Sequence, residues 1–259
     1  IDQNLPFGIR VSGITGAALD DPAVRAQLKT LLDDHGVIAC KNVEQTAAMQ
    51  VKLSEVFGPL KDHPVYEVAR ADRENLKGVI VIATGPDSGI VEINGKQLVT
   101  WQPWHFDHFY NDEMMYAAVL RSVKTPKDGA RTAFACGIQI YNDMNPAIRA
   151  KAEAMNVLYN LDLRYDKQRF GLPKTFKLVK QNGGKMSEEN ENGRCAVHRA
   201  VWQRPQGEKI FHMSPYGCRG LEGDRSDAAF ARLAEVWAEA ERVMKVYYHQ
   251  WEPGDMAIW

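Results

Sequence analysis

The sequence predicts a mainly β fold: an antiparallel sandwich closed like a jelly roll, with helices packed outside it. Three observations lead there. Short apolar runs rich in β-branched residues recur along the chain, as in Val37-Ile38-Ala39-Cys40 and Gly78-Val79-Ile80-Val81-Ile82-Ala83. Turn residues punctuate them, as in Lys127-Asp128-Gly129 and Pro253-Gly254-Asp255. Helix signals are few by comparison.

In order, Phe7 to Gly13 reads as a short strand ending at a turn. Asp20-Asp21-Pro22 starts a helix, with an acidic cap and Pro in the first turn. Its apolar face is Val24, Leu28, Leu31 and Leu32, and Gly36 ends it. Val37 to Cys40 follows as a buried strand. Thr46 opens a second helix that turns Met49, Leu53, Val56 and Phe57 inward, and Gly58-Pro59 stops it. His63-Pro64-Val65-Tyr66 falls in the loop beyond. Gly78 to Ala83 is expected to be a central strand, and Gly85 to Gly95 a turn-rich connection. Residues 101–110 are read as a strand, and so are Tyr116 to Leu120 and Thr132 to Cys136. Asn145-Pro146 caps a helix running to about Met155. Residues 181–193, rich in Gly, Asn and Glu, are expected to form a mobile loop, with a lid role left open. Val197 to Trp202 is a strand, followed by a turn and a return strand to Met213. Ser226 caps a long helix with Phe230, Leu233, Val236, Trp237, Ala240 and Met244 inward. Val246 to Trp251 and Met256 to Trp259 are the last strands.

The 259 residues are 45% hydrophobic and 25% charged, ordinary for a globular protein with a sizeable core. A net charge of −1 points to neither nucleic acid nor anionic membrane as a partner. No apolar run is long enough to span a bilayer. Cys40, Cys136, Cys195 and Cys218 are widely spaced and form no C-x-x-C, so reduced thiols in a cytoplasmic protein are the expectation. The chain opens at Ile1 rather than Met, so a few leading residues are expected before it.

The stretch that carries chemistry is Trp101-Gln102-Pro103-Trp104-His105-Phe106-Asp107-His108-Phe109-Tyr110. On a strand, residues i and i+2 share a face, so His105 and Asp107 would project together and His108 away from them. One further His would complete the two-histidine, one-carboxylate facial triad of non-heme Fe(II) oxygenases, with open positions opposite. His-x-Asp alone is a common accident, and its weight comes from context.

That context is a resemblance. Gly8-Ile9-Arg10-Val11-Ser12-Gly13-Ile14, His35-Gly36-Val37-Ile38, Phe57-Gly58-Pro59-Leu60 with His63-Pro64, Trp104-His105-Phe106-Asp107, residues 194–223, and Trp251-Glu252-Pro253-Gly254-Asp255-Met256-Ala257-Ile258-Trp259 occur in the order of one family. The chain resembles the taurine dioxygenase / TfdA-like Fe(II)- and 2-oxoglutarate-dependent dioxygenases over nearly its whole length. The resemblance implies a double-stranded β-helix and a single domain over 1–259 that lacks its C-terminal segment. It implies Fe(II) bound by His105 and Asp107, with 2-oxoglutarate and O₂ as co-substrates. The family's third ligand, a His, and its Arg for the distal 2-oxoglutarate carboxylate would lie beyond Trp259. Thr132 matches the position that binds a 2-oxoglutarate carboxylate, where a hydroxyl donates without adding charge. His63 matches a loop histidine that touches the primary substrate. Phe106 and Tyr110 would wall the pocket.

Each of these has a plainer alternative: Thr132 as a strand former, His63 as a structural loop residue, Phe106 and Tyr110 as core. His198, His212 and His249 are read as structural. The implied reaction is oxidation, by hydroxylation, of a C–H bond in a small acidic substrate, with release of succinate and CO₂. Arg164, Lys167 and Arg169 would suit an anionic group if they face the pocket, and are otherwise solvated. Homo-oligomerisation is left open. Two rivals remain from the sequence: a metal-dependent hydrolase or isomerase on the same scaffold, and a non-catalytic binding protein.

Overall fold

The computed structural model describes residues 5–63, 69–72, 76–86, 88–125, 129–182 and 193–259. Two compact units divide the chain. One is built from Ile1–Ile82, Met115–Cys136 and Lys245–Trp259, the other from Ala83–Met114 and Gly137–Met244.

The first unit is organised by a four-stranded sheet in the order Ile9–Ser12, Ile38–Lys41, Met256–Ile258, Val119–Arg121. Its first pair is parallel, Ile9 opposite Ile38, and the other two pairs are antiparallel. The parallel pair is joined through the helix Pro22–His35, as a parallel connection requires. Asp21 caps that helix, its Oδ1 accepting from the Ala23 N–H at 2.8 Å, and Gly36 closes it at φ +72°. Leu28 and Leu32 are buried, and Val24 and Leu31 pack half-buried beside them. Thr46 caps the helix Ala47–Ser54, and Met49, Leu53, Val56 and Phe57 are all buried, as expected.

The sheet is covered on both faces. Ile38, Met256 and Ile258 join the helix-side core, whereas Ala257 packs with Val37, Phe134, Tyr247 and Trp251. Strand alternation sends neighbouring side chains to opposite cores. The pair Arg131–Ala135 and Val246–Gln250 runs antiparallel with Thr132 opposite His249.

Among the described residues, the second unit holds two three-stranded antiparallel sheets. Their orders are Lys177–Lys180, Ile90–Ile93, Lys96–Val99 and Cys195–Arg199, Asn156–Asn160, Cys218–Leu221. A hairpin pairs Val201–Gln203 with Lys209–Phe211. Among the described residues its α-helices are Gly137–Asp143, Pro146–Glu153 and Asp227–Val243. Ser226 Oγ accepts from the Ala229 N–H, and Phe230, Leu233, Val236, Trp237 and Ala240 form the buried stripe.

Several expectations are corrected. The architecture is mixed helix and sheet, with several antiparallel sheets and more strands than helices, as expected, but it includes the parallel pair Ile9–Ser12 and Ile38–Lys41. Gly78 to Ala83 is not a central strand: among the described residues Leu76–Ile80 pairs only with Arg70–Asp72, and Val81 and Ile82 are exposed. The connection from Gly85 to Gly95 contains the strand Ile90–Ile93, which turns at Asn94 (φ +52°) and Gly95 (φ +73°) into Lys96–Val99. The strand expected over Val197 to Trp202 breaks at Ala200, whose N–H donates to the Met155 carbonyl at 3.0 Å. The expected loop at 181–193 lies almost wholly outside the described residues.

Candidate active site

Residues 101–110 form no strand. The backbone there is irregular, closing in a turn in which His108 takes φ +57° and its carbonyl accepts from the Asn111 N–H at 2.8 Å. The parity argument that put His105 and Asp107 on one face therefore fails. The two side chains meet all the same: His105 Nε2 lies 3.6 Å from Asp107 Oδ1, with the side chains 27% and 31% exposed.

What aims the imidazole is the carbonyl of Pro103, 2.8 Å from His105 Nδ1. A carbonyl only accepts, so Nδ1 carries the proton and the Nε2 lone pair of the neutral ring is directed towards Asp107. At 3.6 Å neither group is spent in a good hydrogen bond to the other. Burial pulls the His105 pKa down, but the Asp107 carboxylate and the Pro103 carbonyl outweigh it and leave the ring raised. His108 is instead lowered, chiefly by burial.

The loop is held from beneath. Ser214 Oγ, fully buried, lies 3.2 Å from the Trp104 carbonyl and 2.8 Å from that of Tyr216. The Tyr216 ring meets His105 edge-on at 6.0 Å. Phe106 is half-buried, its ring 3.9 Å from that of His212 and 5.5 Å from that of Tyr159 by centroid. Tyr110 is buried against Phe109, and burial pushes its phenol pKa up. His198 and His212 make ring contacts with Phe106 and Trp202.

Thr132 and His63 belong to the first unit. Thr132 Oγ1 accepts from the Trp251 indole N–H at 2.9 Å. The His63 backbone N–H donates to Asp62 Oδ1 at 2.9 Å, and Pro64 to Tyr66 lie outside the described residues. His249 is buried, with Tyr247 Oη 2.8 Å from its Nδ1 and Asp255 Oδ2 3.3 Å from its Nε2. Of the three expected cations, Arg164 grips buried Asp162 through two hydrogen bonds of 2.8 and 2.7 Å. Arg169 pairs with Asp227 and lies over the Phe230 ring, 4.1 Å from its centroid. Lys167 and Arg169 line a cavity of about 330 Å³ with Arg219 and Arg225.

An imidazole with a fixed tautomer beside a carboxylate suits non-heme Fe(II). Among the described residues no group of three or more His, Cys, Asp or Glu gathers as a metal site, so the pair supplies two donors. Sequence reasoning passed over Pro103 and Trp251. Both stood inside quoted motifs, but nothing in their spacing shows which atom each one faces.

The family model for the taurine catabolism dioxygenase TauD, TfdA family matches residues 2–259. The (S)-phenoxypropionate/alpha-ketoglutarate-dioxygenase of Sphingobium herbicidovorans is 23% identical over 98% of this chain and 83% of its own. A crystal structure of a putative alpha-ketoglutarate-dependent taurine dioxygenase from Burkholderia xenovorans superposes with TM-score 0.66 at 19% identity, over 97% of this chain and 76% of that one. AAD-2, solved with Mn(II) and N-oxalylglycine, superposes with TM-score 0.71 at 15% identity, over 100% of this chain and 88% of that one. The chain belongs to the taurine catabolism dioxygenase TauD, TfdA family, as a 2-oxoglutarate-dependent dioxygenase that uses Fe(II) and O₂.

Proposed function

We propose that the protein hydroxylates a C–H bond of a small acidic organic molecule, coupled to conversion of 2-oxoglutarate and O₂ to succinate and CO₂. The observation that carries the reading is the His105–Asp107 pair, with the imidazole proton held on Nδ1 by its hydrogen bond to the Pro103 carbonyl. In this reading His105 and Asp107 hold the iron, and a His and an Arg beyond Trp259 supply the third ligand and the distal carboxylate contact. The bound metal supplies the redox chemistry that couples O₂ reduction to substrate oxidation. Thr132 donates its hydroxyl to one 2-oxoglutarate carboxylate, and His63, Phe106 and Tyr110 shape the substrate side. The acidic substrate class is supported by the names of the relatives, which concern a phenoxypropionate and taurine. The family's double-stranded β-helix and single-domain organisation belong to the same reading, supported by the match over residues 2–259. A cytoplasmic setting is supported by four free cysteines.

The test is succinate release from 2-oxoglutarate across a panel of aryloxy-carboxylates, sulfonates and alkyl sulfates. At least one acid should stimulate release and gain one oxygen atom by mass. His105→Ala should abolish both iron retention and stimulated release, and Asp107→Gly should remove hydroxylation. Product formation that needs no 2-oxoglutarate, or wild-type turnover by His105→Ala, would overturn the assignment.

A further inference from the structure

We propose that Trp251 is a positioning residue for the co-substrate, turning the Thr132 hydroxyl into a one-way hydrogen-bond donor. The proposal rests on the reading of Thr132 as a 2-oxoglutarate contact. Its own observation is the 2.9 Å hydrogen bond from the Trp251 indole N–H to Thr132 Oγ1. An indole nitrogen only donates, so this bond fills an acceptor lobe of the hydroxyl and leaves the hydroxyl's own proton unspent. Among the described residues that proton has no acceptor. A threonine hydroxyl rotates among three staggered positions, and the one aiming its hydrogen at the indole N–H is excluded by repulsion. What remains is a neutral donor facing away from Trp251, ready for an anionic oxygen.

The indole is itself held. Trp251 is 8% exposed and packs with Phe134 and Tyr247. Its ring meets His249 edge-on at 4.4 Å, and His249 sits directly opposite Thr132 in the strand pair. Tyr247 Oη lies 2.8 Å from His249 Nδ1 on the other side. The side chains at 247, 249 and 251 thus share one face and end at Thr132, a scaffold that fixes an N–H vector rather than a solvated surface contact.

The test uses the full-length protein. Trp251→Phe deletes the donor while keeping an aromatic ring, though a smaller one, and Thr132→Val deletes the hydroxyl. 2-Oxoglutarate affinity is measured by calorimetry on the Mn(II)-loaded protein for each variant and for the double variant. Trp251→Phe should weaken binding about 2- to 10-fold, the range for one neutral hydrogen bond, and should add nothing in the Thr132→Val background. In the metal-free protein, the Trp251 indole proton should shift upfield in the ¹H–¹⁵N spectrum of Thr132→Val. If Thr132→Val weakens binding and Trp251→Phe does not, the positioning role is refuted and the Thr132 reading stands. Losses that add in the double variant, or an unmoved indole proton, refute it too. If Thr132→Val leaves affinity unchanged, the Thr132 reading falls and this proposal with it.

Discussion

His212 lies between two rings, 3.9 Å from Phe106 and 4.0 Å from Trp202 by centroid. Burial, then the neighbouring His198, pushes its pKa down to about 3. An unfolded histidine titrates near 6.5, so below about that pH the unfolded chain takes up a proton that the folded one refuses. Its contribution to stability is complete above about pH 6.5 and declines as pH falls towards 3, by up to about 1.4 kcal/mol per unit. His212→Phe should flatten this part of the stability curve, read by urea unfolding between about pH 4 and 7. An unchanged slope would place the proton elsewhere. For His105 the pKa shift is opposite, upward, but the loss also comes as pH falls: protonation should weaken metal binding as pH drops through its pKa, measurable by metal titration across that range. The pairing of His105 with Asp107 was legible from spacing, but the reason given was not the right one. Strand parity does not hold where His108 takes φ +57°, and the locking carbonyl of Pro103 has no signature in sequence.

Gly217 shows how an element's edge sets the site. It precedes the strand Cys218–Leu221 at φ +71°, and a Cβ there would stand 2.1 Å from Phe109 Cε2 and 2.9 Å from the Asn160 carbonyl oxygen. Gly217→Ala should cost about 2–5 kcal/mol, combining left-handed backbone strain with overpacking. Because Phe109 lies two residues from Asp107, the variant should also bind metal less tightly while still folded. Thermal melts paired with metal titration check both, and a wild-type melting temperature would contradict the crowding. Helix boundaries were readable because caps are local chemistry: Asp21, Thr46, Asn145 and Ser226 each accept a hydrogen bond from the first turn. The hairpin at Asn94-Gly95 was readable and passed over, although Asn-Gly is the dipeptide that suits two consecutive positive φ values. The error at Gly78 to Ala83 has a different origin. A β-branched run specifies a strand but not how many neighbours it acquires, and among the described residues this one has only Arg70–Asp72.

The two units are interleaved along the chain, each built from separated segments. In the second, Ala83–Met114 brings Phe106 and Phe109, whose rings fill the space beside Tyr159, Tyr216 and His212. A fragment of residues 137–244 should therefore lack a fixed core and give a poorly dispersed ¹H–¹⁵N spectrum. Joining residues 83–114 to it in one chain should restore dispersion. A well-dispersed spectrum from the shorter fragment would refute this dependence. The mainly β expectation missed the parallel pair of Ile9–Ser12 and Ile38–Lys41. Strand, fourteen-residue helix, strand is the pattern of a parallel crossover, and the sequence displayed it. Interleaving of the units was not legible, because it depends on contacts between residues more than a hundred positions apart.

Ile38 and Ile258 are partners in the same sheet, with Met256–Ile258 between Ile38–Lys41 and Val119–Arg121. On the ribosome the inner strand is therefore made long before its neighbour. At roughly 5–20 residues per second, the interval between them is about 10–45 s. Throughout it, one edge of Ile38–Lys41 and the apolar residues Ile38 and Cys40 await a partner not yet synthesised. The nascent chain should be vulnerable to edge-to-edge association over that window and should gain soluble yield from co-expressed chaperones that cover the exposed edge.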